Sequence, residues 1–486
     1  MSDFGTASEK KDLTYWIHTI IVICLMFGFQ FLPPFGPVTA LGMQTLGIFL
    51  GLLWAWTFVD FIWPSLLGII AVGLSGYMTM DAAFKTAFGD QTVLLVFFVF
   101  ALAAYLTATG LCRTIAYWFI SRKACIGRPY VFFSLLMLAC YVIGGTVGTM
   151  GAIVIGWAVV YEICEIIGFE KGDKFPIAAL IGVVLTSMLG ATVFPFRALA
   201  ALVLNQVHSI TGLTVGFGAF FISAFVASIL ATVLYILTVK FIFKPDMKGL
   251  TAPDDIYAKF RAVKMDRSQK VGVIGLIVVI VGACAPSFLP ASWAITAFFA
   301  KFSLGPLIAL VMLILAAIQI KEQKICDIGQ SIKNGVDWST IIMLAGSMPV
   351  AAMMKDPEAG VTVLINQALT GFLGDASPFL IAVIFIVFAG IVTQVAHNLV
   401  MCIVLAPILA NLSLAMGFDP LPIAIFLSFV CNLGIATPGA SVMGAMLFAN
   451  RSWIPVKDCF KYTWVCVFEV ILCIICFGLP IAHFFC

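Results

Sequence analysis

The chain has 486 residues, of which 63% are hydrophobic and only 10% are charged, and its net charge is +3 at pH 7. Because soluble domains carry about 25% charged residues, this composition excludes a soluble enzyme, a disordered chain and a nucleic-acid-binding protein. The apolar runs are roughly 17–25 residues long, which suits helices crossing a ~30 Å hydrocarbon core and not the alternating strands of a barrel. The sequence therefore predicts an all-α polytopic membrane protein whose surroundings are the lipid bilayer.

The N-terminal residues 1–38 are interpreted as a polar tail followed by a first membrane span. No small-residue cleavage site follows this apolar run, so we expect the span to be retained. Eleven segments are predicted to cross the membrane, two of them as broken helices: 15–32, 39–57, 62–78, 91–111, 175–209 (broken), 219–243, 270–286, 304–320, 337–354, 421–450 (broken) and 463–483.

Two further apolar stretches, 130–168 and 378–413, are too long for a single span. Small or polar residues lie near the middle of each, at 144–149 in the first and at 393–398 in the second. Either stretch is compatible with two full spans or with a re-entrant hairpin. The polar, glycine-rich tips favour re-entrant hairpins, because backbone that is unpaired at mid-depth requires burial or a water-filled cavity.

The basic residues predict the orientation in the membrane. With a cytoplasmic N-terminus, and with both long stretches leaving on the side they entered, 22 of the 26 Lys and Arg residues lie inside. Lys85, Lys301 and Lys355 then lie outside, and Arg197 lies at membrane depth. This asymmetry follows the positive-inside rule. Together with the retained first span and the lack of an organelle signal, it favours a multi-pass protein of the cell inner membrane of a bacterium.

A polar connection at 244–269, predicted to be a surface helix on the cytoplasmic side, divides the chain into two repeats. The first repeat covers 39–243 and the second covers 270–486. In each repeat the predicted order is three spans, a hairpin, a broken span and a final span, but the two repeats enter the membrane from opposite sides. Inverted repeats with discontinuous helices are the architecture of secondary transporters.

The two broken spans share a composition that interrupts helices. The first break is predicted at 190–197 (GATVFPFR) and the second at 432–441 (NLGIATPGAS). Proline removes an amide donor and clashes with the preceding turn, whereas glycine tolerates unwound backbone. The helix that resumes after a break presents an N-terminus with roughly half a positive charge and free amides. Two tips and two breaks meeting between the repeats would form a midplane site for a small anion, with or without a cation.

Four motifs resemble those of the divalent-anion/sodium symporter family, the solute carrier 13-like branch of the ion-transporter superfamily. Residues 393–399 (TQVAHNL) are similar to that family's second hairpin tip, Thr-Glu-Phe-x-Ser-Asn-x, and residues 436–440 (ATPGA) to its Ala-Thr-Pro-Pro-Asn-Ala break. Residues 144–146 (GGT) stand where the family has Ser-Asn-Thr, and residues 194–197 (FPFR) where it has Thr-Pro-Pro-Asn. The order of elements matches over nearly the whole chain, and the motifs match better in the second half.

The resemblance implies that hairpin tips and broken loops bind Na⁺ and a di- or tricarboxylate. It also implies a homodimer in which a transport domain moves against a scaffold domain like an elevator. Na⁺ is then a possible coupling ion, and no other cofactor and no metal site is expected. The substrate-binding candidates are Gly145, Thr146, Thr149, Arg197, His397, Asn398, Thr437 and Pro438. The cation-binding candidates are Gly144, Thr192, Ala396, Ala436 and Gly439.

Arg197 replaces the asparagine that the family has in its first break. An arginine at mid-depth costs about 2.5–3.5 kcal/mol on insertion scales, so it requires a partner. It either binds a substrate carboxylate through its guanidinium fork or replaces a sodium ion with a fixed charge. Glu469, deep in the last apolar run, is a candidate proton site or the counter-ion of Arg197. His397, which replaces a tip serine, is a candidate anion donor or a group that titrates near neutrality.

These features predict a secondary active transporter of a small organic anion, most simply a C4-dicarboxylate or a tricarboxylate. Symport and sodium-independent exchange both remain open. The alternative within the same superfamily is a cation/proton antiporter or a proton-coupled carrier, although such proteins usually need more buried acids. An intramembrane enzyme is not expected, because the sequence has no HExxH or GxSxG motif. A channel is a further alternative, and it would show passive instead of saturable flux.

Overall fold

The computed structural model describes residues 13–247, 265–290, 292–299, 301–320, 323–364, 367 and 376–486. The predicted linker helix at 244–269 falls largely on residues 248–264, which lie outside the described residues. Its last residues belong instead to a membrane helix that begins at Arg267. This helix starts there because the Asp266 carboxylate accepts a hydrogen bond from the Gln269 amide at 2.7 Å in a capping box.

Helices make up most of the described chain. Those before the linker are α1 (Leu13–Gly28), α2 (Ala40–Phe58), α3 (Ile62–Leu74), α4 (Met80–Phe88), α5 (Gln91–Ala108), α6 (Leu111–Ile120), α7 (Pro129–Thr146), α8 (Thr149–Ile167), α9 (Lys174–Ala191), α10 (Ala198–Thr211) and α11 (Phe217–Thr238). Short 3₁₀ turns occupy Phe29–Phe31 and Lys123–Cys125, and a π-helical turn at Val239–Phe243 extends α11.

The second half continues the same pattern. Its described helices are α12 (Arg267–Phe288), α13 (Ala294–Phe299), α14 (Leu304–Ala317), α15 (Ile328–Gly335), α16 (Trp338–Lys355), α17 (Pro378–Val392), α18 (Asn398–Met416), α19 (Leu421–Cys431), α20 (Val442–Ala449), α21 (Val456–Cys473) and α22 (Leu479–Phe485). A 3₁₀ turn lies at Pro357–Ala359, and a π-helical turn at Ile474–Gly478 joins α21 to α22. An antiparallel pair of two-residue strands, β1 (Gln319–Ile320) and β2 (Gln323–Lys324), follows α14.

The described helices belong to two compact units. One unit contains α1 to α4 and α16, and is drawn from residues 1–94, 337–375 and 410–417. The other contains α6 to α15, α17, α19 to α22 and most of α5 and α18, and is drawn from residues 95–336, 376–409 and 418–486. The second unit holds every residue that the sequence nominates for binding.

Ten helices within the described residues are long and apolar enough to cross a membrane, as the composition predicts. The chain is therefore a multi-pass membrane protein. Both halves of the first predicted hairpin, α7 and α8, pass this test with 18 and 19 residues. Helix length therefore does not distinguish a re-entrant hairpin from two full membrane crossings at 130–168. That this segment is re-entrant remains a prediction.

Two predicted spans are shorter in the structure than in the sequence interpretation. The segment predicted at 62–78 ends as helix at Leu74, because Gly76 adopts a φ of +80° that an α-helix cannot continue. The segment predicted at 304–320 ends at Ala317, where the backbone becomes extended and enters β1. With 13 and 14 residues, these helices reach about 20 Å at 1.5 Å per residue, less than a ~30 Å hydrocarbon core.

Within the first unit, the start of α2 is fixed by the 3₁₀ turn that follows α16. The Thr39 hydroxyl donates to the Glu358 carbonyl at 2.6 Å and also accepts from the Gly42 amide at 3.2 Å. A Cβ atom at Gly42 would lie 1.9 Å from the Ala359 carbonyl oxygen, so only glycine permits this contact. Gly360 ends the 3₁₀ turn with a φ of +70°.

Within the second unit, α7 and α9 approach so closely that glycine is required at the interface. A Cβ atom built on Gly144 would lie 2.1 Å from the Ser187 carbonyl oxygen, and one built on Gly190 would lie 1.9 Å from the Tyr141 carbonyl oxygen. A Cβ atom on Gly145 would lie 2.8 Å from the Gly190 carbonyl oxygen. These three glycines let the hairpin tip contact the end of α9, where the first break begins.

Gly190→Ala is expected to lower the free energy of unfolding by about 1–3 kcal/mol or more, since overpacking forces backbone to move. Gly216→Ala is the matched control, because Gly216 has open space around its Cβ position and an ordinary φ of −62°. Thermal unfolding of both variants in detergent measures the effect. Equal melting temperatures for the two variants would contradict the required contact.

Candidate transport site

The first break is present in the structure. Helix α9 ends at Ala191 and α10 begins at Ala198, so the chain is non-helical where the sequence predicts the interruption. Arg197 is the N-cap residue of α10 and is half-buried. Its Nη2 donates to the Gly144 carbonyl at 2.9 Å and to the Gly145 carbonyl at 2.6 Å. The break is therefore tied to the first hairpin tip by a guanidinium.

These two carbonyls belong to the last turn of α7, which ends at Thr146. The last four carbonyls of an α-helix lack an intrahelical partner and carry its partial negative charge. Arg197 therefore caps α7 with a full positive charge. Its Nε is buried and has no hydrogen-bond partner within the described residues. A buried donor without an acceptor costs free energy, so this atom is suited to an oxygen of a ligand.

Glu469 is not the partner of Arg197. Glu469 lies on α21, and its Oε1 accepts a hydrogen bond from the Thr238 hydroxyl at the end of α11. Its Oε2 is buried and has no hydrogen-bond partner in the described part of the chain. The sequence left two roles open for this acid, a proton site or the counter-ion of Arg197, and the structure does not show the second. The hydrogen-bond partners of Arg197 in the described residues are the two glycine carbonyls.

The second break is also present. Helix α19 ends at Cys431 and α20 begins at Val442, in agreement with the predicted interruption. The Ser441 hydroxyl donates to the Gly434 carbonyl at 2.5 Å and accepts from the Gly444 amide at 3.1 Å. The N-terminus of α20 is therefore closed by a side-chain cap.

Gln394, at the tip between α17 and α18, connects the second hairpin to the second break. Its side chain is fully buried. Its Oε1 accepts from the Ile435 amide at 3.0 Å and from the Ala436 amide at 2.9 Å. Its Nε2 donates to the Gly390 and Leu433 carbonyls, each at 2.9 Å. These four hydrogen bonds fix the orientation of the Gln394 side-chain amide. If the amide were flipped, its oxygen would face the two carbonyl oxygens and its NH₂ group would face the two backbone amides.

Two threonines add to this connection. The Thr393 hydroxyl donates to the Cys431 carbonyl at 3.0 Å, and the Thr437 hydroxyl donates to the Gln394 carbonyl. The second tip and the second break thus form one hydrogen-bonded body. Gln394 lies within the motif at 393–399 but is not among the site residues predicted from the sequence. The signal that could have found it is its position, where the resembling family has a glutamate.

Asn432, which is also not among the predicted site residues, joins the two broken helices. Its Nδ2 donates to the Met188 carbonyl in the last turn of α9 at 3.1 Å. Arg197 therefore connects the first tip to the first break by hydrogen bonds. Asn432 connects the end of α9 to the second break, which is itself hydrogen-bonded to the second tip. The four elements predicted to meet do so within one unit.

The helices that follow the tips and the breaks begin differently in the two halves. Gly148, the N-cap of α8, and Arg197, the N-cap of α10, make no side-chain capping hydrogen bond. In the second half, Ser441 caps α20, and the Asn398 Oδ1 accepts from the Leu399 amide at 2.8 Å at the start of α18. Uncapped first-turn amides are the groups that bind anions at helix N-termini.

The remaining nominated residues of the first half lie beside these ends. The Thr146 hydroxyl donates to the Val142 carbonyl at 2.6 Å, and the Thr192 hydroxyl donates to the Leu189 carbonyl at 2.7 Å. Both hydroxyl protons are therefore used by helix backbone. Thr149, the first residue of α8, is half-buried at the uncapped end.

In the second half, exposure separates the nominated residues. Pro438 and Gly439 are exposed at the middle of the second break, whereas Ala436 is buried and its amide is held by Gln394. His397 and Ala396 are half-buried at the second tip. Of this set, Pro438 and Gly439 are the most accessible to a solute.

An aromatic stack anchors the first break to α11. Phe194 and Phe196, on either side of Pro195, have ring centroids 5.0 Å apart. Phe194 also lies 5.7 Å from Phe221, and Phe196 lies 6.4 Å from Phe217, both on α11. Because Phe194 and Phe196 are buried, they fix the backbone that precedes Arg197 rather than face a ligand.

A helical membrane protein with two interrupted helices, each hydrogen-bonded to the tip of a neighbouring helix pair, has an architecture found in transporters. A model of the family described as Citrate transporter (CitMHS) matches residues 51–356 and 301–485. The chain belongs to this family. The resemblance to the ion-transporter superfamily inferred from the motifs is thereby confirmed.

Two curated relatives carry the name sodium-dependent dicarboxylate transporter SdcS. The protein from Staphylococcus saprophyticus is 22% identical over 344 residues, which cover 68% of this chain and 65% of the relative. The protein from Staphylococcus aureus strain USA300 is 24% identical over 164 residues, which cover 34% of this chain and 31% of the relative. The chain thus matches less than two thirds of the length of either relative.

A solved structure shares the fold. The YdaH transporter of Alcanivorax borkumensis, whose topology is described as unusual, aligns with a TM-score of 0.56 at 13% sequence identity. The alignment covers 87% of this chain and 97% of that chain. At this identity the likeness concerns the fold alone.

Proposed function

We propose that the protein is a secondary active transporter of small di- or tricarboxylates. The observation that carries the proposal is the Arg197 guanidinium, which lies where the first break meets the first hairpin tip and whose buried Nε has no partner among the described residues. A carboxylate oxygen satisfies this donor with a charge-assisted hydrogen bond. The uncapped N-termini of α8 and α10 add amide donors for a second anionic group.

The other residues then have defined roles. Arg197 binds one carboxylate, and Thr149, with Gly145 and Thr146 next to it, lines the first half of the site. Asn398, His397, Thr437 and Pro438 line the second half of the site. Gln394 and Asn432 act as positioning residues, since they hold the breaks and tips together. The family name, citrate transporter, and the name of the SdcS relatives support this substrate class.

Transport by an elevator movement within a homodimer completes the proposal, and it rests on family analogy. The inverted repeats 39–243 and 270–486 would provide the two access states. The same proposal places the protein in the cell inner membrane with a cytoplasmic N-terminus, as the distribution of basic residues indicates.

A substrate screen in proteoliposomes tests the function. Citrate, succinate, malate and a monocarboxylate control are offered outside, with and without internal dicarboxylate. We expect saturable uptake of a di- or tricarboxylate. The monocarboxylate is expected not to compete with this uptake. Flux that does not saturate would indicate a channel, and no carboxylate flux under any condition would reject the proposed function.

Glu469 supports proton coupling as the second candidate mode of this transport. Its Oε2 has no partner in the described chain, and a buried carboxylate with an unpartnered oxygen is costly unless it is protonated. The titratable groups that face it are Tyr235 on α11, and Cys466 and Cys473 on its own helix. None of these supplies a positive charge to balance an ionised Glu469.

Glu469→Gln is expected to flatten the pH dependence of carboxylate uptake, because glutamine is neutral at every pH and still accepts from Thr238. Initial uptake rates across the neutral pH range measure the effect. Glu165→Gln is the matched control, since Glu165 is exposed at the end of α8. His397→Ala is measured in parallel, and a flattened profile in that variant alone would assign the coupling proton to His397 and contradict the role of Glu469.

A further inference from the structure

We infer that carboxylate transport by this chain does not require sodium, because the Arg197 guanidinium and the Gln394 amide fill the two carbonyl clusters where hairpin tips and breaks would otherwise bind a cation. The inference rests on the proposed function and concerns its coupling ion. It departs from the sodium dependence in the name of the SdcS relatives.

The first cluster consists of the Gly144 and Gly145 carbonyls at the end of α7. Arg197 Nη2 lies 2.9 and 2.6 Å from these two oxygens, in the position that a bound cation would need. The negative end of the α7 dipole is thus already balanced by a full positive charge. A sodium ion here would lie against the guanidinium, and like charges at such short range repel strongly where water is excluded.

The second cluster consists of backbone carbonyls around the second tip. The Gly390 and Leu433 carbonyls accept from Gln394 Nε2, and the Cys431 carbonyl accepts from Thr393. A sodium ion bound to the Gly390 and Leu433 oxygens would displace the Gln394 amide. That displacement would leave the buried Ile435 and Ala436 amides without their acceptor, which is costly.

The donor set therefore does not fit sodium at either position. The fixed guanidinium does what a bound cation does in this position, since it joins the tip to the break and presents a positive charge to the substrate.

The first test measures sodium binding without transport. Thermal unfolding of the full chain in detergent is followed in NaCl, KCl and choline chloride at equal ionic strength. The wild-type melting temperature is expected to be the same in all three salts. A sodium-specific rise of about 2–4 °C, the shift expected when the sodium concentration is roughly 100-fold above the Kd of a site, would overturn the inference whether or not any carboxylate is transported.

The second test uses Arg197→Asn, which removes the guanidinium from the glycine carbonyls and supplies a side-chain oxygen. This variant is expected to gain a sodium-specific rise in melting temperature of about 2–4 °C. Arg197→Lys is the matched control, because it keeps a cation at the cluster and is expected to show no sodium-specific shift. If the Arg197→Asn variant folds and its melting temperature is the same in sodium as in potassium and choline, the result would contradict the inference that Arg197 occupies a cation site.

The third test measures uptake in proteoliposomes with external Na⁺ replaced by choline. The expected change in the wild-type rate is less than twofold. A loss of tenfold or more would overturn the inference while leaving the proposed substrate class in place. Absence of carboxylate uptake in every salt would instead reject the proposed function, and the sodium-binding measurement would still decide the inference.

Discussion

Arg197→Ala is expected to reduce carboxylate uptake by about 100-fold while the protein remains folded in the membrane. The substitution removes a charge-assisted hydrogen bond to the substrate, and a hydrogen bond to a charged group contributes roughly 1.5–3 kcal/mol, or one to two decades in rate or affinity. It also removes the cap on the Gly144 and Gly145 carbonyls, so the first tip loses its bond to the first break. Initial uptake rates normalised to the amount of reconstituted protein measure the loss.

Arg451→Ala is the matched control for this experiment. Arg451 is exposed after α20, so its removal takes away the same charge without affecting the site. Its uptake is expected to stay within about twofold of wild type, because surface charges contribute little when isolated. If Arg197→Ala also transported at the wild-type rate, Arg197 would be a structural cap and not a substrate ligand.

Gln394→Leu is expected to destabilise the protein by about 2–6 kcal/mol and to abolish transport. The leucine leaves the Ile435 and Ala436 amides buried without an acceptor, and each unsatisfied group costs roughly 1–3 kcal/mol. Because the same side chain donates to the Gly390 and Leu433 carbonyls, its loss also weakens the connection between the second break and the second tip. Thermal unfolding in detergent and proteoliposome uptake measure the two effects.

Gln206→Leu is a matched control, since it makes the same substitution at another buried glutamine. Gln206 on α10 is 2% exposed, and neither its Oε1 nor its Nε2 has a hydrogen-bond partner within the described residues. Its replacement by an apolar group of similar size is expected to be neutral or stabilising. Similar losses in the two variants would show that the hydrogen bonds of Gln394 are not the source of its effect.

The sequence predicted most of the membrane helices correctly because the signal is local. A run of apolar residues of sufficient length favours a helix in lipid whatever its neighbours are. The errors occurred where a single local feature ended a helix early, as at Gly76 after α3 and at the turn to extended backbone after α14. Short helices such as α4, α6 and α15 were not predicted, since each is only 8 to 10 residues long.

The two breaks were also predicted, because glycine and proline interrupt helices through their own covalent structure. The assignment of re-entrant hairpins and of two inverted repeats depends on the position of the bilayer, and both remain predictions. The sequence left open whether Glu469 is a proton site or the counter-ion of Arg197. In the described residues Glu469 accepts from Thr238 and Arg197 donates to glycine carbonyls, so the two side chains are not paired with each other.

By itself the sequence determined that this is an all-α membrane protein and where its helices are interrupted. These properties follow from hydrophobic length and backbone chemistry, which act within a few residues. Only the tertiary structure decided which donor meets which carbonyl. Arg197 and Gly144 are 53 positions apart, and Gln394 and Leu433 are 39 apart, so packing across separate helices brings each pair together. That pairing, which hydropathy does not encode, is what fills both carbonyl clusters with the protein's own side chains.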